Sequence, residues 1–405
     1  MKSFRVNYSA ILIAETLAMI GFSLSVPIIP LFLEDDIGIT DPVKLKIWAG
    51  IIQSSASVTM AIFAPIWGRL ADTYSRKAML LRAMFGGAIV ISFMTIVNSP
   101  WQLFVLRSIQ GCLTGTVTAA TVLTASLTPV AHVAFTLGLL QTMIAVGNSL
   151  GPLVGGLISD FFGYRAAFFS TGIALALAGF IVLKWVDKDI RPGIEIKPEN
   201  KTRRPSLIPD IKPIAASPLL ITMMLVTFGV QSANNTATPM LPLFIKSLFE
   251  NLHESHPHIA ASSGIVLGVG AASSALAAVL VGKFSSSIGY WKTLLFCLIA
   301  ATISTLPQIF VTSMIQLTVF RAMSAFFIGG TIPVINAIIA VSIDNKIQGT
   351  VFGFNASVTA AGAAFGPILG SVAAMASFRM MFLASALVLG LSAWETFRRR
   401  KQINS

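Results

Sequence analysis

Charge is what this sequence has least of. Only 11% of its 405 residues are Asp, Glu, Lys or Arg, against about 25% in a soluble domain, while 55% are hydrophobic. With a mean hydropathy of +0.81, that scarcity excludes a water-soluble globule and points to an integral membrane protein. Cysteine is nearly missing: Cys112 and Cys297, both inside apolar runs, offer neither a disulfide framework nor a metal spacing. The loop "HESHPH" (His253, His256, His258) lacks a partnering cysteine and reads as solvated, so no metal is expected. No nucleophile, base and orienter set and no phosphate loop appears in the hydrophilic segments, which are too short to fold, so neither an enzyme nor a cofactor is expected. A cleavable leader is missing too. The first apolar run continues to about Leu33 without a small-residue cleavage site and reads as a retained span.

What is present is a series of apolar runs, each near the length of about 20 residues that a crossing helix needs. Twelve are read, at roughly 8–33, 46–70, 79–98, 101–124, 134–158, 166–186, 218–245, 260–282, 292–312, 315–341, 349–375 and 380–397. Connections such as "VNSPW" and "VTSMI" are almost bare turns, which makes neighbouring helices antiparallel. One connection differs. Residues 187–217 are rich in Lys, Arg, Pro and Asp, lack apolar periodicity, and divide the spans six and six. The expected organisation is an N-terminal six-helix bundle over 1–186, a hydrophilic linker, and a C-terminal six-helix bundle over 218–405.

The net charge of +12 would suggest nucleic acid only if it formed a patch, and it does not. With an even number of spans both termini lie on one side, and 21 of the 28 Lys and Arg residues fall there, against five opposite and two, Arg107 and Arg321, within spans. Basic residues mark the cytoplasmic side, so the termini and the linker are expected in the cytoplasm and the protein in the plasma membrane. The two sets of six spans also repeat. "LFVLRSIQGCLTG" aligns with "LTVFRAMSAFFIG", placing Arg107 over Arg321 at an offset of 214, and "GYRAAFF" aligns with "SFRMMFL" at the same offset. "VPIIPLFL" matches "TPMLPLFI", and "GNSLGPLVGG" (147–156) matches "GAAFGPILGS" (362–371). Parallel repeats of six spans indicate a transporter architecture with the substrate site between the halves near mid-membrane.

Four local patterns then carry a resemblance that spans nearly the whole chain. "GRLADTYSRK" follows the loop pattern G-x-L-A-D-R-x-G-R-K at Gly68, Asp72, Arg76 and Lys77, departing at Thr73 and Ser75. "RSIQG" matches R-x-x-Q-G at Arg107, Gln110 and Gly111. Gly138, Gly147, Gly151, Pro152, Gly155 and Gly156 match G-x8-G-x3-G-P-x2-G-G, and "IGFSLSVPIIP" matches L-G-x5-P-V-x-P at Gly21, Pro27 and Pro30. Together they resemble the major facilitator superfamily in its twelve-helix drug:proton antiporter branch. The resemblance implies an all-α membrane protein of two pseudo-symmetric bundles. It also implies export rather than uptake from the span-five motif, closure of the cytoplasmic side by Gly68, Asp72, Arg76 and Lys77, and proton coupling at Arg107.

The residues have a physical reading of their own. Gly147, Gly151 and Gly155 recur every four residues and form one stripe on a helix face, with Gly362, Gly366 and Gly370 repeating it beside Pro367. Small residues let helix backbones approach closely in lipid, so the stripe and Pro152 are expected at the interface where the halves move. Gly138 points to the opposite face. An acid such as Asp72 could meet a helix N-terminus of the other half. Ionisable groups inside spans default to function: Glu15 is the only carboxylate well within an apolar run, and a carboxyl removed from water can bind and release a proton near neutral pH. Gln110, Gln141, Gln231, Asn234, Asn235 and Arg321 are candidates for lining a substrate cavity, although each amide serves equally well as an interhelical hydrogen bond.

The expectation is a monomeric exporter of small amphipathic or drug-like molecules, exchanging them for protons across the bilayer and binding no nucleic acid. A same-fold exporter of one metabolite, sugar or lipid, and a membrane sensor or scaffold, are the alternatives. The repeat and the charged spans argue against the scaffold, which needs neither.

Overall fold

The structure, a computed structural model, describes residues 4–73, 75–128, 132–187, 217–251, 258–343 and 348–399. The linker beyond these bounds, His253, His256 and the side chains around Gly68 to Thr73 lie outside the described part. All regular structure among the described residues is helical. The crossings are α1 (Phe4–Leu24), α2 (Pro42–Thr73), α3 (Arg76–Phe93), α4a (Pro100–Leu113) with α4b (Thr116–Leu127), α5 (Val133–Phe162) and α6 (Tyr164–Trp185). The second half repeats them as α7a (Pro218–Thr236) with α7b (Leu241–Asn251), α8 (Ile259–Ile288), α9 (Tyr290–Thr305), α10 (Met314–Ser342), α11 (Gln348–Ala376) and α12 (Phe378–Arg398). Nine helices are long and apolar enough to cross a membrane, judged by length and composition among the described residues. The other three crossings are α2 and the two interrupted pairs.

Local chemistry sets these boundaries. Ser75, Ser99, Ser217 and Ser313 precede helices in extended conformation, each accepting a bond from the amide three residues on. Pro100 and Pro218 open their helices, where a missing N–H costs nothing. Breaks fall where the chain cannot continue smoothly. Gly115, at φ +125°, interrupts α4. Residues 25–28, holding Pro27, separate α1 from a further helical stretch over 29–36, and Ala237–Met240, holding Pro239, separate α7a from α7b.

Eight crossings form a closed ring. Going round, α2 packs on α4a, α4b on α1, α1 on α5, α5 on α8, α8 on α10, α10 on α7a, α7a on α11, and α11 again on α2. The remaining four stand outside it, α6 against α1 and α3, and α12 against α7a and α9. The halves therefore meet along two seams, α5–α8 and α2–α11, while α1, α4, α7 and α10 complete the wall of the lumen between them. The ring is tied at the face opposite the termini. There Lys246 Nζ lies 3.0 Å from Glu34 and 3.6 Å from Asp35, Lys46 Nζ donates to Ala374 O at 2.8 Å, and the Asp160 carboxylate accepts from the amides of Ala260 and Ala261 at 3.2 and 2.8 Å. Toward the terminus face, a Cβ built on Gly138 of α5 or Gly353 of α11 would meet nothing within 4 Å.

Candidate functional site

The glycine stripe is tightly packed, but against a different neighbour from the one expected. A Cβ on Gly147 would lie 2.6 Å from Met19 Cβ, one on Gly151 would lie 2.5 Å from Ser23 Cβ, and one on Gly155 would overlap the Leu24 backbone. All three partners are on or at the end of α1, in the same half. The stripe thus joins α5 to α1 inside one bundle, and Ser23 Oγ fastens the joint to Asn148 Oδ1 at 2.7 Å. The second half copies this: Gly362, Gly366 and Gly370 face Phe228, Asn235 and Thr236 of α7a. The moving seam is served by the neighbouring face of α5. The Pro152 carbonyl abuts Gly264 of α8, Gly156 abuts Ala260, and Ser149 Oγ donates to Gly268 O at 2.8 Å. At the other seam Pro367 O and Ser371 crowd Gly50 of α2. The expectation of the whole motif at the inter-half interface is therefore corrected: a helix with a glycine face toward α1 has its seam face roughly a quarter-turn away.

Glu15 sits in the ring wall where α1 meets α4b. It is 1% exposed, and neither carboxylate oxygen has a hydrogen-bond partner of ordinary geometry among the described residues. The Thr116 side chain faces it. Because Gly115 interrupts α4, Thr116 opens α4b, and Glu15 faces the first residue of that new helix. Sequence periodicity does not reveal this break.

Arg107 is buried on α4a and donates to Gln110 Oε1 at 3.1 Å and to Ser25 Oγ at 3.2 Å. Ser25 is ten residues beyond Glu15, about 15 Å along the axis, so the two groups expected to act together in proton coupling are not in contact. Arg321, its repeat counterpart on α10, is also buried and donates to Asn234 O at 3.3 Å. Each arginine grips the end of its half's first helix, just before or within the proline break. Gly111 lets α4a approach α2, where a Cβ would strike the Ala56 carbonyl. Among the candidate amides, Gln110 is buried, Gln231, Asn234 and Asn235 are half-buried around the α7 break, and Gln141 is exposed on α5.

The loop residues are only partly described. Gly68 and Asp72 fall in the last turns of α2, outside the described side chains. Lys77 Nζ donates to the carbonyls of Leu183 and Val186 at the end of α6, so it caps a helix of its own half. Arg76 opens α3 and is half-buried. A carboxylate meeting a helix N-terminus across the halves does occur, but at the opposite face and from Asp160, whose position at a span end gave no reason to choose it. Lys46 and Lys246 escaped notice for the same reason. Among the described residues no cluster of three His, Cys, Asp or Glu side chains is placed to hold a metal.

Comparison with known proteins agrees with this architecture. Residues 11–312 and 256–404 match the family model described as Major Facilitator Superfamily. The chain is 31% identical over 385 residues to the "Multidrug resistance protein MdtG" of Escherichia coli (strain SMS-3-5 / SECEC), covering 94% of this chain and 92% of that protein. In fold it is similar to the crystal structure of the nucleoside transporter NupG, with a TM-score of 0.75, 14% identity and coverage of 98% and 99%. A bacterial homolog of the human lysosomal transporter Spinster, solved inward-facing and unoccupied, gives a TM-score of 0.78, 14% identity and coverage of 98% and 97%.

Proposed function

Because the chain belongs to the major facilitator superfamily, we propose that this multi-pass membrane protein exports small amphipathic, drug-like compounds by alternating access, in exchange for protons. The observation that carries the reading is the eight-helix ring whose ties, among the described residues, include three at the face opposite the termini, with Glu15 buried in its wall. The basic excess at the terminus face supports a cytoplasmic placement of that face, with the plasma membrane as the host bilayer of this scheme. A ring tied opposite the termini is then in the loading posture, and the halves 1–186 and 218–405 rock about the seams α5–α8 and α2–α11 with 187–217 as the tether.

Glu15 carries the proton in this scheme. With the terminus face closed, Gly68, Asp72, Arg76 and Lys77 serve the latch and the lumen opens outward. A proton then reaches the carboxyl, cancels its attraction to the α4b helix start, and lets α1 and α4b repack as the empty carrier returns. Kinship to a protein named for multidrug resistance, and the glycine motif of α5, support export over uptake.

The test is transport by purified protein in liposomes. An imposed pH gradient is expected to drive concentrative movement of a fluorescent amphipath, with proton flux in the opposite direction. Movement that ignores the gradient would remove the exchange mechanism, and movement of a single metabolite alone would favour a dedicated exporter.

A further inference from the structure

We infer that the lumen is built for substrates bearing an anionic group, a carboxylate, sulfonate or phosphonate on an apolar body, and that Arg107 and Arg321 supply the recognising charges. This rests on the reading of the chain as a transporter.

The argument starts from charge balance. Both guanidinium groups are buried, 5% and 7% exposed, at repeat-equivalent positions on the two wall helices α4a and α10. Neither forms an ion pair among the described residues. Their partners are neutral: a serine hydroxyl and an amide oxygen for Arg107, one backbone carbonyl for Arg321. An arginine has five N–H donors and stays charged at any physiological pH. Among the described residues Arg107 Nε is buried with no acceptor, and Arg321 has one hydrogen bond, to the Asn234 carbonyl. Buried charges are ordinarily paired. Glu15, the one carboxylate buried in the wall among the described residues, sits on another stretch of α1, faces Thr116 of α4b and compensates neither.

What the protein withholds, a ligand can provide. The planar fork of a guanidinium matches the paired oxygens of a carboxylate, sulfonate or phosphonate. Asn234, half-buried on α7a and bonded to Arg321 through its own carbonyl, brings a side-chain amide next to that guanidinium to bond other polar atoms of the same ligand. A cationic compound would instead meet two buried positive charges. The direction of transport agrees with this sign, since an inside-negative membrane potential itself drives an anion outward, and exchange for an incoming proton adds to that drive. Substrate and proton then occupy separate places and are linked through alternation of the ring rather than by competing for one carboxylate.

Two dyes sharing a xanthene core make the comparison: fluorescein, an anion, and an esterified rhodamine, a cation. Binding is read by fluorescence anisotropy on purified full-length protein and flux in proteoliposomes. Fluorescein is expected to bind and move at least tenfold better than the rhodamine. Arg321→Gln should weaken fluorescein binding tenfold or more and improve the rhodamine, whereas Arg321→Lys should restore part of the preference. Thermal unfolding of each variant separates loss of recognition from loss of fold. Preference for the rhodamine, no binding of fluorescein, or an unchanged charge preference in a folded Arg321→Gln protein overturns the inference. Arg321-dependent binding of fluorescein without flux of either dye upholds the inference and removes the transport reading.

Discussion

At the scale of single residues, the proposed cycle assigns its work to a few polar groups whose described neighbours leave them incompletely satisfied. Glu15 is the clearest, a carboxyl that faces Thr116 at the first turn of α4b and whose oxygens have no hydrogen bond of ordinary geometry among the described residues. Glu15→Gln keeps the volume and removes the proton. The expected outcome is a folded protein that still binds and exchanges substrate down its gradient but no longer concentrates it when a pH gradient is imposed. Retained pH-driven accumulation would rule Glu15 out. Asp160 belongs to the same scale. Its carboxylate caps α8 from across the seam, an interaction typically worth about 0.5–2 kcal/mol. Asp160→Asn should loosen the opposite face while leaving binding from the terminus face intact, seen as faster labelling of a cysteine placed near Ser25. Asp160 was illegible beforehand because its partners are backbone amides, which carry no signature in a sequence.

At the scale of elements, much was readable. Apolar length and turn residues placed twelve spans, of which nine coincide with helices long and apolar enough to cross a membrane among the described residues, while Pro27 and Pro239 mark breaks that the run of apolar residues conceals. The four-residue period of Gly147, Gly151 and Gly155 announced a packed face. Periodicity says that a face is packed without saying against what, so the stripe was placed at the moving seam when it lies on α1. The break in α4 was hidden, because one glycine in an apolar run is also tolerated inside a continuous helix. The two glycine environments of α5 separate by mutation. Gly155→Leu drives a side chain into the Leu24 backbone. It should destabilise by at least the about 1–3 kcal/mol typical of overpacking, read as a lowered midpoint of thermal unfolding in detergent. Gly138→Ala enters open space within a helix and should be neutral or stabilising by up to about 1 kcal/mol. Equal sensitivity of the two sites would contradict the packing described.

At the scale of the whole molecule, alternating access requires the opposite face to release. Three ties across it stand among the described residues: Lys246 with Glu34 and Asp35, Lys46 with Ala374 O, and Asp160 with the α8 amides. The Lys246 pair is part-exposed and adds at most about 1 kcal/mol. Removing two ties together, Lys46→Ala with Asp160→Ala, should shift the balance toward the outward-open form by about 2–3 kcal/mol, roughly 30- to 150-fold in population. Spin labels on the α1–α2 and α7–α8 connections would report it as a second, longer distance. An unchanged distance distribution would mean that the seams alone hold the face shut.

The two helix-end ties are themselves copies. The offset of 214 that lays Arg165 on Arg379 also lays Lys46 on Ala260, and the offset of 215 that aligns the α5 and α11 glycines lays Asp160 on Met375, the neighbour of Ala374. At both seams a donor from the second helix of one half meets an acceptor from the fifth helix of the other, yet which partner is a side chain has been exchanged. If one ancestral half was duplicated, its packing small residues were kept in both descendants while its charges were divided between them. A chain built from two copies of the first half would keep its glycine faces. It would set Lys46 against Asp160 at both seams, converting two helix-end caps into two ion pairs that salt would weaken together.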